Sequence, residues 1–184
     1  NRNGSNDKSH RYYHYPNMDK ALFEAHPEYG RLYTWAAANP GTAYNDTDDN
    51  PTNRQGICPE GWHLPSKNEW DKLIQVIGDD ENEIYSSYAG KGYAAIKMRS
   101  KTKVDNAETK GESHASYNNG IDILLLGGMW KDDPYYWGTC ILWSSSSTGP
   151  TGAFKLSFSA GSMGGVGLSE NDKRAQYSVR CKAN

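Results

Sequence analysis

The segment "MWKDDPYYWGT" (residues 129–139) combines aromatic rings with carboxylates, the side-chain types that grip sugars. Ring faces stack on the C–H surfaces of a sugar, and carboxylates accept its hydroxyl protons. The same composition suits a protein-binding patch, and it also suits a tight turn with Asp133-Pro134 at its corner and the rings packed inward. Adjacent carboxylates rarely flank one bond at the separation that a glycosidase needs. The candidate ligand-binding residues are Trp130, Asp132, Tyr135, Tyr136 and Trp137.

A second polar cluster lies in "SENDKRA" (residues 169–175), directly before the last predicted strand. Its candidate ligand-binding residues are Glu170, Asp172, Lys173 and Arg174. Neither cluster has the apolar periodicity of a packed element, so packing alone does not require these side chains. The mixed charge of the second cluster favours a polar partner over a lipid. We therefore expect a ligand to bind to these two predicted loops.

Acidic residues alternate in "NDTDDN" (residues 45–50), as the first ligands of a calcium loop do. The candidate ligands are Asp46, Asp48 and Asn50. An EF-hand loop also needs a glycine and a late bidentate glutamate, and Pro51 and Ile57 stand at those two positions. A solvated acidic loop is the alternative interpretation. We predict no metal or other cofactor, with calcium as the one candidate ion.

The sequence contains no residue pattern typical of a zinc site, a nucleophilic catalytic centre or a phosphate-binding loop. The cysteines Cys58, Cys140 and Cys181 form no CxxC pair and have no zinc-ligand spacing. No nucleophile or carboxylate stands at a recognisable spacing from His63, so we expect a buried or edge histidine that hydrogen-bonds to the backbone. The segment "AGSMGGVG" (residues 160–167) lacks the ending of a phosphate-binding loop. These observations predict that the chain is not an enzyme.

The charge and hydropathy of the chain exclude two further classes of partner. The net charge is -2, and no Lys/Arg run has the density of a patch for nucleic acid or an anionic membrane. No apolar run is long enough to insert into a bilayer. The polar opening "NRNGSNDKSH" is typical of a processed terminus or a linker. We expect a tail or a partial first strand over residues 1–20 and a single domain over residues 21–184.

One helix is clearly predicted among the elements that must position these clusters. The segment "SKNEWDKLIQVIG" (residues 66–78) begins with Ser66 as the N-cap, and Glu69 completes a capping box. Gly78 is a natural C-terminal stop. An apolar face at helical spacing consists of Trp70, Leu73, Ile74 and Ile77.

Short strands and long loops account for most of the remaining chain. "AFKLSFSA" (residues 153–160) alternates as a strand, "CILWSSSS" (140–147) predicts a strand that runs into a turn, and "QYSVRC" (176–181) predicts the terminal strand. "IDILLLGG" (121–128) predicts a buried strand. Residues 39–56 and the Gly-rich residues 161–175 predict surface loops. The sum is an α+β fold with one or two helices and several antiparallel strands.

Four motifs occur in order along the chain and carry a family resemblance. They are "YGRLYTWAAA", "CPEGWHLPSKNEWDKL", "LWSSS" and "YSVRC", which span residues 29–181. Together they resemble the Fibrobacter succinogenes major paralogous domain family, a family of exported bacterial domains. That family resembles the C-type lectin fold in turn. The resemblance therefore implies a C-type-lectin-like domain of short antiparallel strands, one or two helices and long loops.

The resemblance also implies a disulfide and a shared binding region. In that fold, a cysteine that leads into a helix bonds to a cysteine on the last strand, and these positions correspond to Cys58 and Cys181. Cys140 is then a free, buried thiol. Both candidate loops precede strands of one sheet region, which allows the loops to converge. Calcium-dependent lectins carry an EPN or QPD triplet and a WND triplet, and this chain has none of them, so that sugar site is not transferred.

The function implied by the resemblance is recognition outside the cell. We expect an extracellular, non-enzymatic recognition or adhesion domain that binds a glycan or a cell-surface protein. Its expected location is outside the cell or on the bacterial outer surface, as part of a lipoprotein. A structural surface or pilus-associated lipoprotein component is the alternative. An enzyme of the formylglycine-generating type is a further alternative, but that chemistry uses a cysteine pair. A bridge between Cys58 and Cys181 would leave only Cys140 for it.

Overall fold

The structure of the chain is a computed structural model that describes residues 13–16, 19–78, 94–95, 98, 100, 121, 123–124, 127–130, 133–135, 139–159 and 166–184. The described part is an α+β fold. The helices whose bounds are described are α1 (Lys20–Ala25), α2 (Trp35–Ala38) and α3 (Lys67–Gly78), with a 3₁₀ turn at Pro27–Tyr29. Ala94, Ala95 and Met98 are helical as well. Its strands are β1 (Tyr13–His14), β2 (Leu32–Thr34), β3 (Trp62–His63), β4 (Gly128–Trp130), β5 (Asp133–Tyr135), β6 (Thr139–Ser147), β7 (Gly152–Ser159), β8 (Gly167–Asp172), β9 (Gln176–Tyr177) and β10 (Lys182–Ala183).

The described strands form three antiparallel sheets. Their orders are β1-β2-β9-β4-β5, β6-β7-β8 and β10-β3. Isolated parallel bridges from Gly127 to Cys140 and from Leu142 to Ser178 connect β6 to the five-stranded sheet. The antiparallel strands and the α+β class confirm the coarse fold prediction.

Strand β6 separates two hydrophobic clusters. Cys140 and Leu142 belong to the cluster under α3, whereas Ile141 and Trp143 belong to a second cluster with Trp35. Successive side chains of a strand point to opposite faces, so one run of apolar residues serves both clusters. The strand is therefore buried on both sides, as its continuous burial from Cys140 to Ser147 shows.

The four serines after Trp143 extend β6, so the predicted turn at these residues is wrong. All four are buried. The Ser144 carbonyl accepts from the Trp35 indole at 3.0 Å, and the Ser145 amide donates to the Pro65 carbonyl at 2.9 Å. The Ser146 hydroxyl accepts the Lys67 amide at 2.8 Å. Partners distant in sequence satisfy this backbone, and the chain turns only after Ser147.

Helix α3 begins with the predicted capping box. The Ser66 amide donates to the Glu69 carboxylate at 2.9 Å, and the Ser66 hydroxyl accepts the Glu69 amide at 3.4 Å. His63 is buried, as expected, but its ring nitrogens contact Glu69 (2.9 Å) and Asn184 (2.7 Å) rather than backbone. Burial by itself raises the pKa of Glu69, but the Lys182 ammonium, the Ser66 amide and His63 lower it to about 2.

The disulfide implied by the resemblance is present. Cys58 and Cys181 are bonded, with their Cα atoms 5.8 Å apart, and Cys140 is free and buried. The bridge lies beside the β3–β10 pair, where Lys182 is opposite His63. It therefore joins the chain before α3 to the end of the chain.

Two other secondary-structure predictions need correction. Residues 167–172 form β8, which pairs with β7 from Gly152↔Asp172 to Ser157↔Gly167, instead of continuing a loop. The predicted strand over 121–128 is not among these corrections, because Gly127 forms a bridge to Cys140, β4 begins at Gly128 and residues 122 and 125–126 lie outside the described residues. The terminal strand is limited to β9 and a separate β10.

We predict that the disulfide contributes about 4–5 kcal/mol to the free energy of unfolding, because it closes a loop between cysteines 123 residues apart. Urea unfolding of a Cys58→Ser, Cys181→Ser variant should show this loss, and dithiothreitol should lower wild type to the same midpoint. Cys140→Ser keeps the bridge and controls for thiol loss. A wild-type midpoint that dithiothreitol leaves unchanged contradicts the prediction.

We predict graded losses of stability along α3. Trp70 is buried in the cluster under the helix, so Trp70→Ala should cost about 3–5 kcal/mol. Ser66→Ala removes one half of the capping box and should cost about 1 kcal/mol. Val76 on the same helix is 76% exposed, so Val76→Ala should change stability by less than about 0.5 kcal/mol. Equal effects of all three in urea unfolding would show that this face is not packed.

Candidate functional site

Trp130 is the last residue of β4, which lies between β9 and β5 in the five-stranded sheet. Met129 pairs with Gln176 of β9, and Trp130 pairs with Asp133 of β5. Gly128 is required at the start of β4, because a Cβ atom there would come within 2.7 Å of the Tyr177 ring. The close approach of β4 to β9 therefore places Trp130 next to the segment that joins β8 to β9.

Arg174 extends from that segment over Trp130. Its guanidinium carbon lies 5.2 Å from the centroid of the Trp130 ring, a cation–π distance. Its Nε donates to Asp172 Oδ1 at 2.9 Å and its Nη2 donates to Oδ2 at 2.7 Å. Because Asp172 Oδ1 also accepts the Arg174 amide at 2.9 Å, the turn itself holds the arginine in place.

Trp130, Asp172 and Arg174 are partly exposed to solvent, and contacts with other residues hold their side chains in place. The Arg174 and Asp172 side chains are 27% and 22% exposed, and Trp130 is half-buried. The hydrogen bond to Asp172 raises the pKa of Arg174, so the charge is fixed. Glu170 is exposed two residues before Asp172, on the same face of β8. We call Trp130, Glu170, Asp172 and Arg174 the Trp130 patch.

The Trp130 patch brings together residues from both predicted clusters. It offers an indole, guanidinium N–H donors and carboxylate acceptors on one surface. Such a combination binds a polar ligand with an apolar face, because the ring contacts C–H groups while the charged groups bond hydroxyls or amides. The sequence-based expectation that the clusters converge is met for Trp130 and Arg174.

Lys173 does not belong to this surface. It is fully buried, and its Nζ donates to the Tyr44 carbonyl at 2.8 Å and lies 4.0 Å from the centroid of the Trp35 ring. Asp172 ends β8 and Arg174 follows Lys173 in the turn, and both of their side chains are partly exposed. The burial of Lys173 does not fit the predicted role of a ligand-binding residue in a surface loop.

The remaining candidates of the first cluster are less fully described. The backbone of Tyr135 lies in β5, opposite Gly128. Asp132, Tyr136 and Trp137 lie outside the described residues, so their assignment stays a prediction.

The acidic candidates for calcium surround an arginine. Arg54 Nη1 lies 2.9 Å from Asp46 Oδ2, and Arg54 Nη2 lies 3.5 Å from Asp48 Oδ2. The Asn50 amide donates to Asp48 Oδ1 at 3.1 Å. The same Arg54 Nη1 donates to the Ser145 carbonyl at 2.8 Å. This ion pair thus ties the long loop to β6, and within the described ranges no group of three or more His, Cys, Asp or Glu side chains is suited to hold a metal.

Two residues behind the Trp130 patch were not singled out as site residues from the sequence. The Asn171 amide donates to the Tyr177 hydroxyl, and the Tyr177 ring packs 4.5 Å from Trp143. This contact fixes the end of β8 against β9. The apolar alternation of "QYSVRC" indicated a packed Tyr177, but no local pattern indicated that its hydroxyl would support the patch.

The buried Lys173 generates a pH-dependent prediction. Burial lowers the pKa of Lys173 to about 8, from 10.5 in an accessible lysine, although Asp46 acts in the opposite direction. Between these values the unfolded chain binds a proton that the folded chain does not, so stability rises with pH. Relative to Lys173→Met, wild type should gain up to about 1.4 kcal/mol per pH unit from pH 8 to 10.5. Urea unfolding across this range tests it, and a difference independent of pH contradicts it.

Of the comparisons with known proteins, one gives a match, and that match covers nearly the whole chain. The family model of the Fibrobacter succinogenes major domain matches residues 2–181. No curated protein and no solved structure matches the chain significantly. The family match includes the bridged cysteines Cys58 and Cys181, helix α3 and every residue of the Trp130 patch. It confirms the resemblance of the four motifs, and the chain belongs to the Fibrobacter succinogenes major domain family.

Proposed function

We propose that this chain is an extracellular, non-enzymatic recognition domain that binds a glycan or a cell-surface protein. The finer fold that we propose is C-type-lectin-like. Short antiparallel strands, one long helix and a disulfide between the approach to that helix and the end of the chain support this assignment. Long described loops such as residues 39–61 are also in keeping with it.

The observation that carries the proposal is the contact of Arg174 with Trp130. These residues are 44 positions apart, yet the guanidinium stacks on the indole and Asp172 orients it. Asp172 and Arg174 hold each other in the tight turn, so these two side chains lose little entropy when a ligand binds. A rigid aromatic and charged surface of this kind favours recognition of a polar ligand.

The state of the cysteines supports a non-enzymatic role. Formylglycine-type chemistry needs a cysteine pair, and Cys58 and Cys181 are bonded to each other in the frame of the fold. Burial raises the pKa of the Cys140 thiol far above its ordinary range, although Arg180 acts weakly in the opposite direction. A thiol held in its protonated form is a poor nucleophile.

The disulfide also supports the proposed location. Structural disulfides form and persist in oxidising compartments, such as the bacterial periplasm and cell surface. No helix within the described part of the chain is long and apolar enough to cross a membrane. Attachment through a lipid anchor elsewhere in a longer protein is part of the proposal.

A glycan array and a panel of purified surface proteins should identify a ligand, with and without calcium. We expect Arg174→Gln and Trp130→Ala each to weaken binding by about tenfold or more, because each removes a direct contact. Fluorescence anisotropy or biolayer interferometry measures the affinity, and thermal unfolding verifies that the variants are folded. Arg174→Gln is the more informative variant, because Trp130 also packs partly against the core.

Trp62→Ala is the matched control. Trp62 is a tryptophan on β3 that is 44% exposed and lies outside the Trp130 patch. Its loss should leave binding unchanged. Binding that survives both patch substitutions in folded protein contradicts the assignment of the patch, and a loss caused equally by Trp62→Ala contradicts its specificity.

A further inference from the structure

A cleft of about 240 Å³ lies between residues 28–33 and residues 178–180. Arg174 of the Trp130 patch precedes β9, whereas the cleft residues Ser178 and Arg180 follow it. We call Tyr29, Arg31, Tyr33, Ser178 and Arg180 the Arg31 cleft. None of them was a candidate from the sequence.

Arg31 is held in the cleft by aromatic rings. Its guanidinium carbon lies 4.5 Å from the ring centroid of Tyr13, 5.4 Å from that of Phe23 and 5.7 Å from that of Tyr15. Gly30 adopts φ 67° and ψ -151°, a conformation open to glycine, and directs the chain from the 3₁₀ turn into β2.

The hydrogen-bonding edge of Arg31 is available. Ring contacts occupy the faces of a guanidinium and leave the N–H donors in its plane. Among the described residues, no acceptor forms a hydrogen bond or an ion pair with Arg31. A half-buried guanidinium with stacked faces and unused donors is preorganised for a planar anion, since a carboxylate accepts two parallel N–H bonds.

Two further groups in the wall fit an anionic ligand. Arg180 uses one donor for the Ile121 carbonyl at 2.8 Å, and a guanidinium has five donors in all. The Ser178 hydroxyl is buried and has no hydrogen-bond partner within the described part of the chain.

The rest of the wall limits the ligand to a small carboxylate with an apolar or sugar body. Leu124, Leu142 and Val179 contribute apolar surface, which inorganic phosphate cannot use. Glu28 also lines the cleft, where its carboxylate contacts the His26 ring at 3.0 Å, and it disfavours a second negative charge on the ligand. The volume is below the ~300–1,000 Å³ of sites for drug-sized ligands, so one sugar residue is the upper limit.

We propose that the Arg31 cleft binds the carboxylate of one acidic sugar residue, a hexuronate. Arg31 forms the bidentate contact, Arg180 adds positive charge, and Tyr33 and the apolar wall face the C–H surface of the sugar. The site is separate from the Trp130 patch and does not rest on its function.

A titration of the ¹⁵N-labelled chain with glucuronate, followed by NMR chemical shifts, tests the proposal. We expect saturable shifts at residues 29–33 and 178–180, and at least about tenfold weaker binding of glucose and of inorganic phosphate. Arg31→Gln should weaken glucuronate binding by about tenfold or more, and Arg31→Lys by several-fold, because lysine keeps the charge without the bidentate geometry.

Matched variants distinguish a specific carboxylate site from a general effect of positive charge on binding. Lys72→Gln removes an exposed cation on α3 outside the cleft and should leave glucuronate binding unchanged, as should Trp130→Ala. Equal binding of glucose or phosphate, an unchanged affinity in folded Arg31→Gln or Arg31→Lys, or an equal loss in Lys72→Gln overturns the proposal. Tighter binding of an acetylated glutamyl dipeptide overturns the sugar assignment. Failure of the Trp130 patch leaves these outcomes unaffected.

Discussion

The fold depends on the burial of strand β6 on both faces. An apolar strand in that position contributes side chains to two clusters. Its buried backbone and the hydroxyls of Ser144, Ser146 and Ser147 form hydrogen bonds with other parts of the protein. The partners come from α2, from the start of α3 and from the long loop: Trp35, Lys67 and Arg54 all bond to the serine segment. The buried serines therefore fix where three other elements lie. Small hydroxyl side chains suit this place, because each fills little volume and can both donate and accept a hydrogen bond.

The second constraint is the closure of the chain's end against α3. The Cys58–Cys181 bridge and the β3–β10 pair bring the last residues beside the helix. Glu69 links three parts of this junction, because it completes the cap of α3 and also contacts His63 and Lys182. A carboxylate with these partners is favoured in its charged form, which the low pKa of Glu69 reflects. The loops before and after β9 are therefore attached to a part of the fold that the disulfide and the β3–β10 pair close.

Strand β9 lies between the two proposed binding regions in the sequence. The two regions are built from different kinds of contact. Before β9, the turn that follows β8 places Lys173 in the core and leaves Asp172 and Arg174 partly exposed. After it, Ser178 and Arg180 meet the segment that contains Arg31. The two regions also use their arginines differently. Asp172 orients Arg174 through two hydrogen bonds, whereas aromatic rings hold Arg31. Each arrangement limits the freedom of a long side chain before any ligand is present.

The sequence by itself determined the features that depend on neighbours along the chain. The capping box and apolar face of α3, the alternation of "AFKLSFSA" and the α+β class follow from local hydrogen bonds and periodicity. Four ordered motifs also indicated the family and, through it, the disulfide. Only the tertiary structure decided that the serines after Trp143 are strand, that Lys173 is buried and that Arg31 joins Arg180 in one cleft. Serine runs and mixed charges favour loops in isolation. Here their partners lie up to 129 residues away, and no local pattern encodes such contacts.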